Sequence, residues 1–321
     1  MNIMLFILLT LASITTSQSK DCDCGLRLTS RIFRGQTAQA HKYPWMANIY
    51  VFPEQETFFD EEEEGFDDED DWTEPPTRCG GSLLDEQHIL TAAHCVIEHG
   101  NLPVPLNTIS IYLGKHQSPK DGDVGAHNVS HVFAHPEYRF GSLAYDMAIL
   151  KLAKPVTYNN QIFPVCLMDD SVSLSKLSGQ YLVAGWGITG PQTKAAEFLQ
   201  EANVDFIERE ECNELSKHYM SQKLHMSVDL IPDDLRAVKS THVCALNRKT
   251  GADACDEDSG GPLMHYNSND GRWYIVAVVS GSYDMCGVSP YVVGLYTDIS
   301  RFYKMIKEKV PGACTPSLSA K

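Results

Sequence analysis

Ser259 stands in the run GADACDEDSGGP (251–262), among small and acidic residues and just ahead of two glycines. A serine hydroxyl is a weak nucleophile at neutral pH. It becomes effective when a histidine takes its proton and a buried carboxylate holds that histidine in one orientation. Both partners are present in the sequence. His94 ends the strand-like stretch LTAAHC beside a cysteine, and Asp146 opens YDMAIL, which otherwise reads as buried strand. Burying an aspartate there is costly without a hydrogen-bond partner, and His94 is a candidate for that role. Taken singly, the three have plain structural readings: one of twelve histidines, an acid at a strand end, a serine in a turn. Their joint occurrence points to nucleophilic attack by Ser259.

The elements that must position these residues read as short strands. Candidates are WMANIYVF, HILTAA, ISIYLG, DMAILKL, QYLVAGWG, WYIVAVVSG and VVGLYT, separated by turn signals such as SPKDGD and NSNDG. This pattern predicts an all-β sandwich or barrel with a single helix at the end. Asp298 or Ser300 would cap that helix, and Phe302, Met305, Ile306 and Val310 share one of its faces. No internal repeat is present.

Composition narrows the class further. The 321 residues are 43% hydrophobic, enough for a sizeable core, and include ten cysteines, a number suited to an oxidising compartment. Met1–Leu11 is almost wholly apolar and too short to span a membrane. With the small residues Thr15 and Ser17 it predicts a signal peptide cut after Ser17. Thirteen acidic residues and no basic one lie between Glu54 and Glu74, so the net charge of −16 falls to −3 once they are set aside. That run predicts a solvated loop inserted at about 53–77, not a domain. No basic patch argues for nucleic acid.

In that order, TAAHC, YDMAIL and DSGGP resemble the chymotrypsin/trypsin family of serine endopeptidases. Further landmarks are YPW (43–45), CGGSLL (79–84), PVCL (164–167), AGWG (184–187) and GLYT (294–297), so the resemblance runs from about Arg31 to Val310. It implies two antiparallel six-stranded β-barrels with a C-terminal α-helix and the active site between the barrels. His94 would be the general base, Asp146 its orienting partner and Ser259 the nucleophile. The backbone N–H groups of Glu257 and Ser259 would form the oxyanion hole. Asp253, six residues before Ser259, would sit at the base of the primary pocket and select Arg or Lys, with Ala254 tilting the preference toward Arg. Ser280, Ser282 and Gly294 would complete the substrate cleft. Gly281 stands where an aromatic wall is usual, and Ser282 narrows the entrance.

The resemblance also implies bridges Cys79–Cys95, Cys212–Cys244 and Cys255–Cys286. A further family bridge is absent from both ends, where Tyr181 and His265 stand. Cys166 would tether a propeptide (18–31) through Cys22 or Cys24, leaving the other to pair with Cys314. Cleavage between Arg31 and Ile32 would free an ammonium that pairs with Asp258 and orders a peptidase domain of residues 32–310, followed by a tail (311–321). Arg34, in IFRG where the family has Ile-Val-Gly-Gly, adds bulk on that entry path. Lys115 replaces the glutamate of calcium-binding relatives, so no metal is expected, and no cofactor. Asn128 opens an N-glycosylation triplet.

Glu257 stands where the family has glycine, and two outcomes are open. A flipped peptide would cripple the oxyanion hole. A side chain directed to the leaving-group side would leave catalysis intact and restrict substrates. The expectation is a secreted, monomeric trypsin-like zymogen cleaving protein and peptide substrates after Arg or Lys. It would meet protease inhibitors and, through residues 54–74, basic proteins, with no nucleic-acid or membrane partner. The rival is a silent homologue that binds a basic partner through the acidic loop. A broad digestive trypsin fits the restricted cleft poorly.

Overall fold

The apolar runs form the strands of two closed barrels. The computed structural model describes residues 22–26, 36–54, 75–120, 123–177, 179–190, 193–231, 238–282, 284, 286, 289 and 291–316. The signal segment, Arg31, Ile32, Arg34 and residues 55–74 of the acidic run lie outside them.

The first barrel comprises β2 (Met46–Val51), β3 (Thr77–Leu83), β4 (His88–Thr91), β7 (Ile109–Leu113), β8 (His127–Ala134) and β9 (Ala148–Leu152). These close in the order β2-β3-β4-β9-β8-β7, antiparallel throughout. Between β4 and β7, a small hairpin pairs β5 (Ile97–Glu98) with β6 (Leu102–Pro103). The second barrel comprises β11 (Gln180–Gly185), β12 (Gln200–Ile207), β13 (His242–Leu246), β14 (Pro262–Asn267), β15 (Arg272–Ser282) and β16 (Gly294–Asp298). Their order is β12-β11-β14-β15-β16-β13, and pairing of β13 with β12 closes the ring. Two short strands attach outside it: β1 (Gln36–Thr37) antiparallel to β12, and β10 (Cys166–Leu167) parallel to β15. The family resemblance implied this two-barrel, all-β architecture, and the structure has it. Closure leaves neither ring an open edge.

The expectation of a single helix needs correction. Besides α2 (Tyr303–Lys309) at the C-terminal end, α1 (Arg209–Leu224) forms a sixteen-residue helix. Only Cys212, Ser216 and Tyr219 of α1 are buried, so its sequence REECNELSKHYMSQKL carries little apolar stripe to read. Its good helix formers and the left-handed His225 at its end hold it, and Cys212 is bridged to Cys244. Before α2, Asp298 caps a 3₁₀ turn by accepting from the Ser300 N–H at 3.0 Å. Phe302, Ile306 and Val310 then pack into the core that includes first-barrel strands.

The barrels share that core. Trp45 Nε1–H reaches Met264 Sδ at 3.1 Å, and both residues belong to the apolar cluster that spans the seam. Ten cysteines form five disulfides: Cys22–Cys314, Cys24–Cys166, Cys79–Cys95, Cys212–Cys244 and Cys255–Cys286. Each contributes stability of about 2–4 kcal/mol, chiefly by restricting the unfolded chain. Tyr181 and His265 face each other across β11 and β14 with ring centroids 5.0 Å apart.

Candidate active site

His94 lies in the 3₁₀ turn Ala93–Cys95 immediately after β4, and the Cys79–Cys95 bridge ties that turn to β3. Asp146 lies just ahead of β9 and is fully buried. Its neighbour Tyr145 takes a left-handed φ of 59°, braced by stacking on His135, whose ring in turn meets Phe302 before α2. This local strain turns the chain so that the next residue points into the seam.

The Asp146 carboxylate is closely partnered. Oδ2 accepts from the His94 ring, with Nδ1 at 2.7 Å, and Oδ1 accepts from the His94 main-chain N–H at 2.9 Å. The Ser280 hydroxyl donates to Oδ2 at 2.6 Å. These bonds offset the desolvation of the charge. Burial of the His94 ring opposes its protonation, but the charge and hydrogen bond of Asp146 outweigh it and hold the imidazole above the usual histidine value. With Nδ1 committed to Asp146, Nε2 is the nitrogen left for proton transfer.

Ser259 sits where the two barrels meet. Its carbonyl accepts from the Gly80 N–H of β3 at 2.7 Å and lies 3.7 Å from Cys95 Sγ, next in chain to His94. Gly260 follows with φ 82°, its N–H bonded to Val279 of β15 at 2.8 Å. A Cβ there would lie 2.2 Å from Thr91 Oγ1 and 2.5 Å from the Gly80 oxygen, so the turn requires glycine. The serine is therefore gripped from both barrels.

Glu257 adopts φ 71°, a left-handed conformation that glycine takes freely and glutamate rarely does. The preceding peptide is not free to turn. The Asp256 carbonyl accepts from the Ile188 N–H at 3.0 Å, and in a trans peptide the Glu257 N–H points the opposite way. The Glu257 carboxylate pairs with Arg78, Nη1 to Oε2 at 3.7 Å. Burial raises its pKa, which Arg78 partly offsets.

Asp253 and Asp258 line one cavity of about 370 Å³, with Gly185, Gly187, Glu201 and Val279 among its other walls. Asp253 keeps some accessible surface, yet the protein encloses it closely enough to push its carboxyl up to about 7. Hydrogen bonds from Tyr296 Oη–H and the Ala254 N–H act against that rise. At Gly294 a Cβ would stand 2.3 Å from Asp253 Oδ2, so that wall admits no side chain. Asp258 accepts from the main-chain N–H groups of Gly187 (2.8 Å) and Cys255 (3.0 Å), and burial raises its carboxyl to about 6.

The structure thus gathers His94, Asp146, Ser259, Glu257 and Ser280 at the seam and Asp253, Asp258 and Gly294 around the adjoining cavity. Ser280 also supports the Asp146 carboxylate. Its hydroxyl is spent on Asp146, which leaves only its main chain for substrate. The Ser282 hydroxyl is likewise turned to the Asp284 carbonyl. Asn128 lies exposed on β8, away from this group. Lys115 has its ammonium over the Tyr112 ring, 5.8 Å from the centroid. Sequence reasoning missed Arg78, Tyr296 and the buried Lys42–Glu201 ion pair, in which Tyr43 also donates to Glu201. A lone arginine before a landmark cysteine gave no signal of its own.

Two closed antiparallel barrels, with a nucleophile-bearing turn in the seam and a histidine–aspartate pair beside it, define a serine endopeptidase. The Trypsin family model matches residues 32–306, and the chain belongs to that family. It is 30% identical over 300 residues to the clotting factor G beta subunit of Tachypleus tridentatus, covering 92% of this chain and 85% of that one. It is 30% identical over 323 residues to human testisin, covering 95% and 88%. Identity to the serine protease Hayan of Drosophila melanogaster is 34% over 236 residues, 72% of this chain but 34% of that protein.

Proposed function

We propose that the chain is a secreted zymogen which, once cut between Arg31 and Ile32, cleaves protein substrates after Arg and, less well, Lys. The carrying observation is the buried Asp146 held by His94 and Ser280, one barrel seam away from the enclosed Asp253. In the reaction Ser259 Oγ attacks the scissile carbonyl carbon while His94 Nε2 takes its proton. The carbonyl electron pair moves to oxygen, where the N–H groups of Ser259 and Glu257 receive it. Collapse breaks the C–N bond as His94 returns the proton to the leaving amine, and water then releases the acyl group by the same steps. Asp146 keeps Nδ1 protonated throughout.

For Glu257, the bond from Ile188 to the Asp256 carbonyl favours the outcome in which the oxyanion donor is retained. Zymogen activation is supported by position. β1 begins four residues after Ile32, Gln36 pairs with Glu201, and Glu201 lines the cavity that holds Asp258. Four residues reach about 13 Å, enough to enter that cavity. Residues 22–26 are fastened to the domain: the Trp273 N–H donates to the Gly25 carbonyl, and Cys24 and Cys22 are bridged to Cys166 and Cys314. A cut after Arg31 would leave the propeptide attached. Secretion rests on the apolar N-terminus and five disulfides; no helix of the described residues is long and apolar enough to cross a membrane. Exposed Asn128 suits glycosylation.

The second reading, a silent homologue binding basic partners, draws on the left-handed glutamate in the oxyanion turn. Hydrolysis of Arg- and Lys-terminated reporter peptides by the protein cut after Arg31, beside a Ser259→Ala control, separates the two. Turnover equal to the control would refute the endopeptidase assignment of Ser259.

A further inference from the structure

Arg78 takes no part in the chemistry above, yet it is built into the edge of the same site. It lies on β3, two residues ahead of the Gly80 whose N–H holds the Ser259 carbonyl. Its guanidinium carbon stands 5.2 Å from the ring centroid of Tyr50, a buried residue whose hydroxyl is fixed on the Pro119 carbonyl at 2.7 Å. So braced, Arg78 reaches Glu257, and both side chains of the pair stay about one-third exposed, at 35% and 36%. The left-handed backbone of Glu257 sets the direction in which its side chain leaves the main chain. Exposed Asp256, next in chain, adds a second negative charge.

The position of this group decides what it meets. A substrate's primary side chain goes toward Asp253, and the adjacent wall is formed by β15 and β16. Neither Arg78 nor Glu257 lines the cavity that holds Asp253, and the Cys79–Cys95 bridge joins the strand of Arg78 to the turn of His94. The pair therefore lies on the side of Ser259 away from that cavity, where the chain beyond the scissile bond would run. Two carboxylates against one guanidinium leave that surface net negative.

We propose that Arg78 and Glu257 together form the subsite for the residues that follow the scissile bond, favouring a basic side chain there and rejecting an acidic one. This rests on the endopeptidase reading and names its leaving-side specificity. Glu257 supplies the attraction. Arg78 holds the glutamate outward and is itself masked by it, so removing the Glu257 charge exposes a cation and reverses the preference.

The test measures binding, so that it does not depend on turnover. Ser259→Ala protein cut after Arg31 is titrated with two peptides carrying Arg before the scissile position and either Lys or Asp at both positions after it. The Lys peptide is expected to bind about three- to tenfold more tightly, a range set by one or two partly exposed charge pairs. Adding Glu257→Gln should abolish or invert that ratio, and adding Arg78→Gln should widen it. Should either added substitution fail to fold, the parent ratio and its collapse between about 50 and about 500 mM salt test the sign of the field. Equal affinities in the parent, a ratio unchanged in both variants, or no binding of either peptide would overturn the subsite. An Arg-directed active-site titrant run on the Ser259 protein reports the peptidase reading separately.

Discussion

Enclosure raises the Asp253 carboxyl to about 7, so a cation that docks against it near neutral pH must displace a proton from part of the population. Enclosure drives the shift, and Tyr296, Ala254 and Gly294 reverse only part of it. With a carboxyl at about 7, roughly half of the pockets are protonated at about pH 7, whereas an ordinary aspartate would be fully ionised. An aromatic amidinium binds the ionised form. At about pH 7 its binding should release about half a proton, and its affinity should fall about fivefold between pH 7 and pH 6. Between about pH 7 and pH 8 the gain should be less than about twofold, because ionisation is then nearly complete. Calorimetric titration of benzamidine into the uncut protein, in buffers of different ionisation enthalpy, counts the protons directly. His94 titrates nearby, so an Asp253→Asn variant run in parallel reports its share. Affinity independent of pH from about 6 to about 8, with no proton released, would refute the argument and place Asp253 among ordinary ionised aspartates. The same raised value makes Asp253 a destabilising group. Its penalty grows as pH rises past the ordinary aspartate value and is complete above about 7.

The wall at Gly294 gives a sharper steric test. Gly294→Ala puts a methyl 2.3 Å from Asp253 Oδ2 and should lower kcat/KM for Arg reporters about a hundredfold or more. Ser280→Ala removes a donor from Asp146 Oδ2, which leaves more negative charge on the carboxylate. The acid limb of the kcat/KM profile, already above the ordinary histidine value, should move up further, with kcat down about five- to tenfold. Lys42→Met strands the buried Glu201 carboxylate, one oxygen of which has no partner among the described residues. Denaturant unfolding should show a loss of about 3–5 kcal/mol, largely recovered by adding Glu201→Leu.

The all-β class was legible because antiparallel strands write themselves as short apolar runs between turn residues, and β2, β4, β7, β9, β11, β15 and β16 each overlap such a run; the division into two barrels came from the family resemblance. His94, Asp146 and Ser259 were legible because each is embedded in a motif that its own neighbours require: Gly260 fits only without a Cβ, and Asp146 is tolerable only with its donors. α1 was not legible, since a helix that buries three of its residues leaves no apolar period to find. The bond from Ser280 to Asp146 was not legible, because sequence places the residue beside the cleft but does not say which way its hydroxyl turns. The Arg78–Glu257 contact joins positions 179 residues apart in sequence and depends on how the barrels meet. Glu257 itself was visible as an exception, but whether its peptide was flipped depended on Ile188, a residue with no motif of its own.

Asp253 and Asp258 share one cavity. The charge of Asp258 adds to the forces that raise the Asp253 carboxyl. An ammonium arriving at Asp258 on cleavage after Arg31 would cancel that contribution, lowering the value at Asp253 and leaving more pockets ionised at neutral pH. Cleavage would then do more than shape the pocket; it would also set its charge. The expectation is specific. At about pH 7 the uncut chain should release more of a proton per bound amidinium than the cut protein does, by a difference of a tenth of a proton or more, and should bind more weakly. Abolishing cleavage by Arg31→Gln should hold the protein in the high-release state whatever protease is added. If cut and uncut protein released the same number of protons but differed in affinity, the two carboxylates would be electrostatically independent, and activation would act on the pocket by geometry alone.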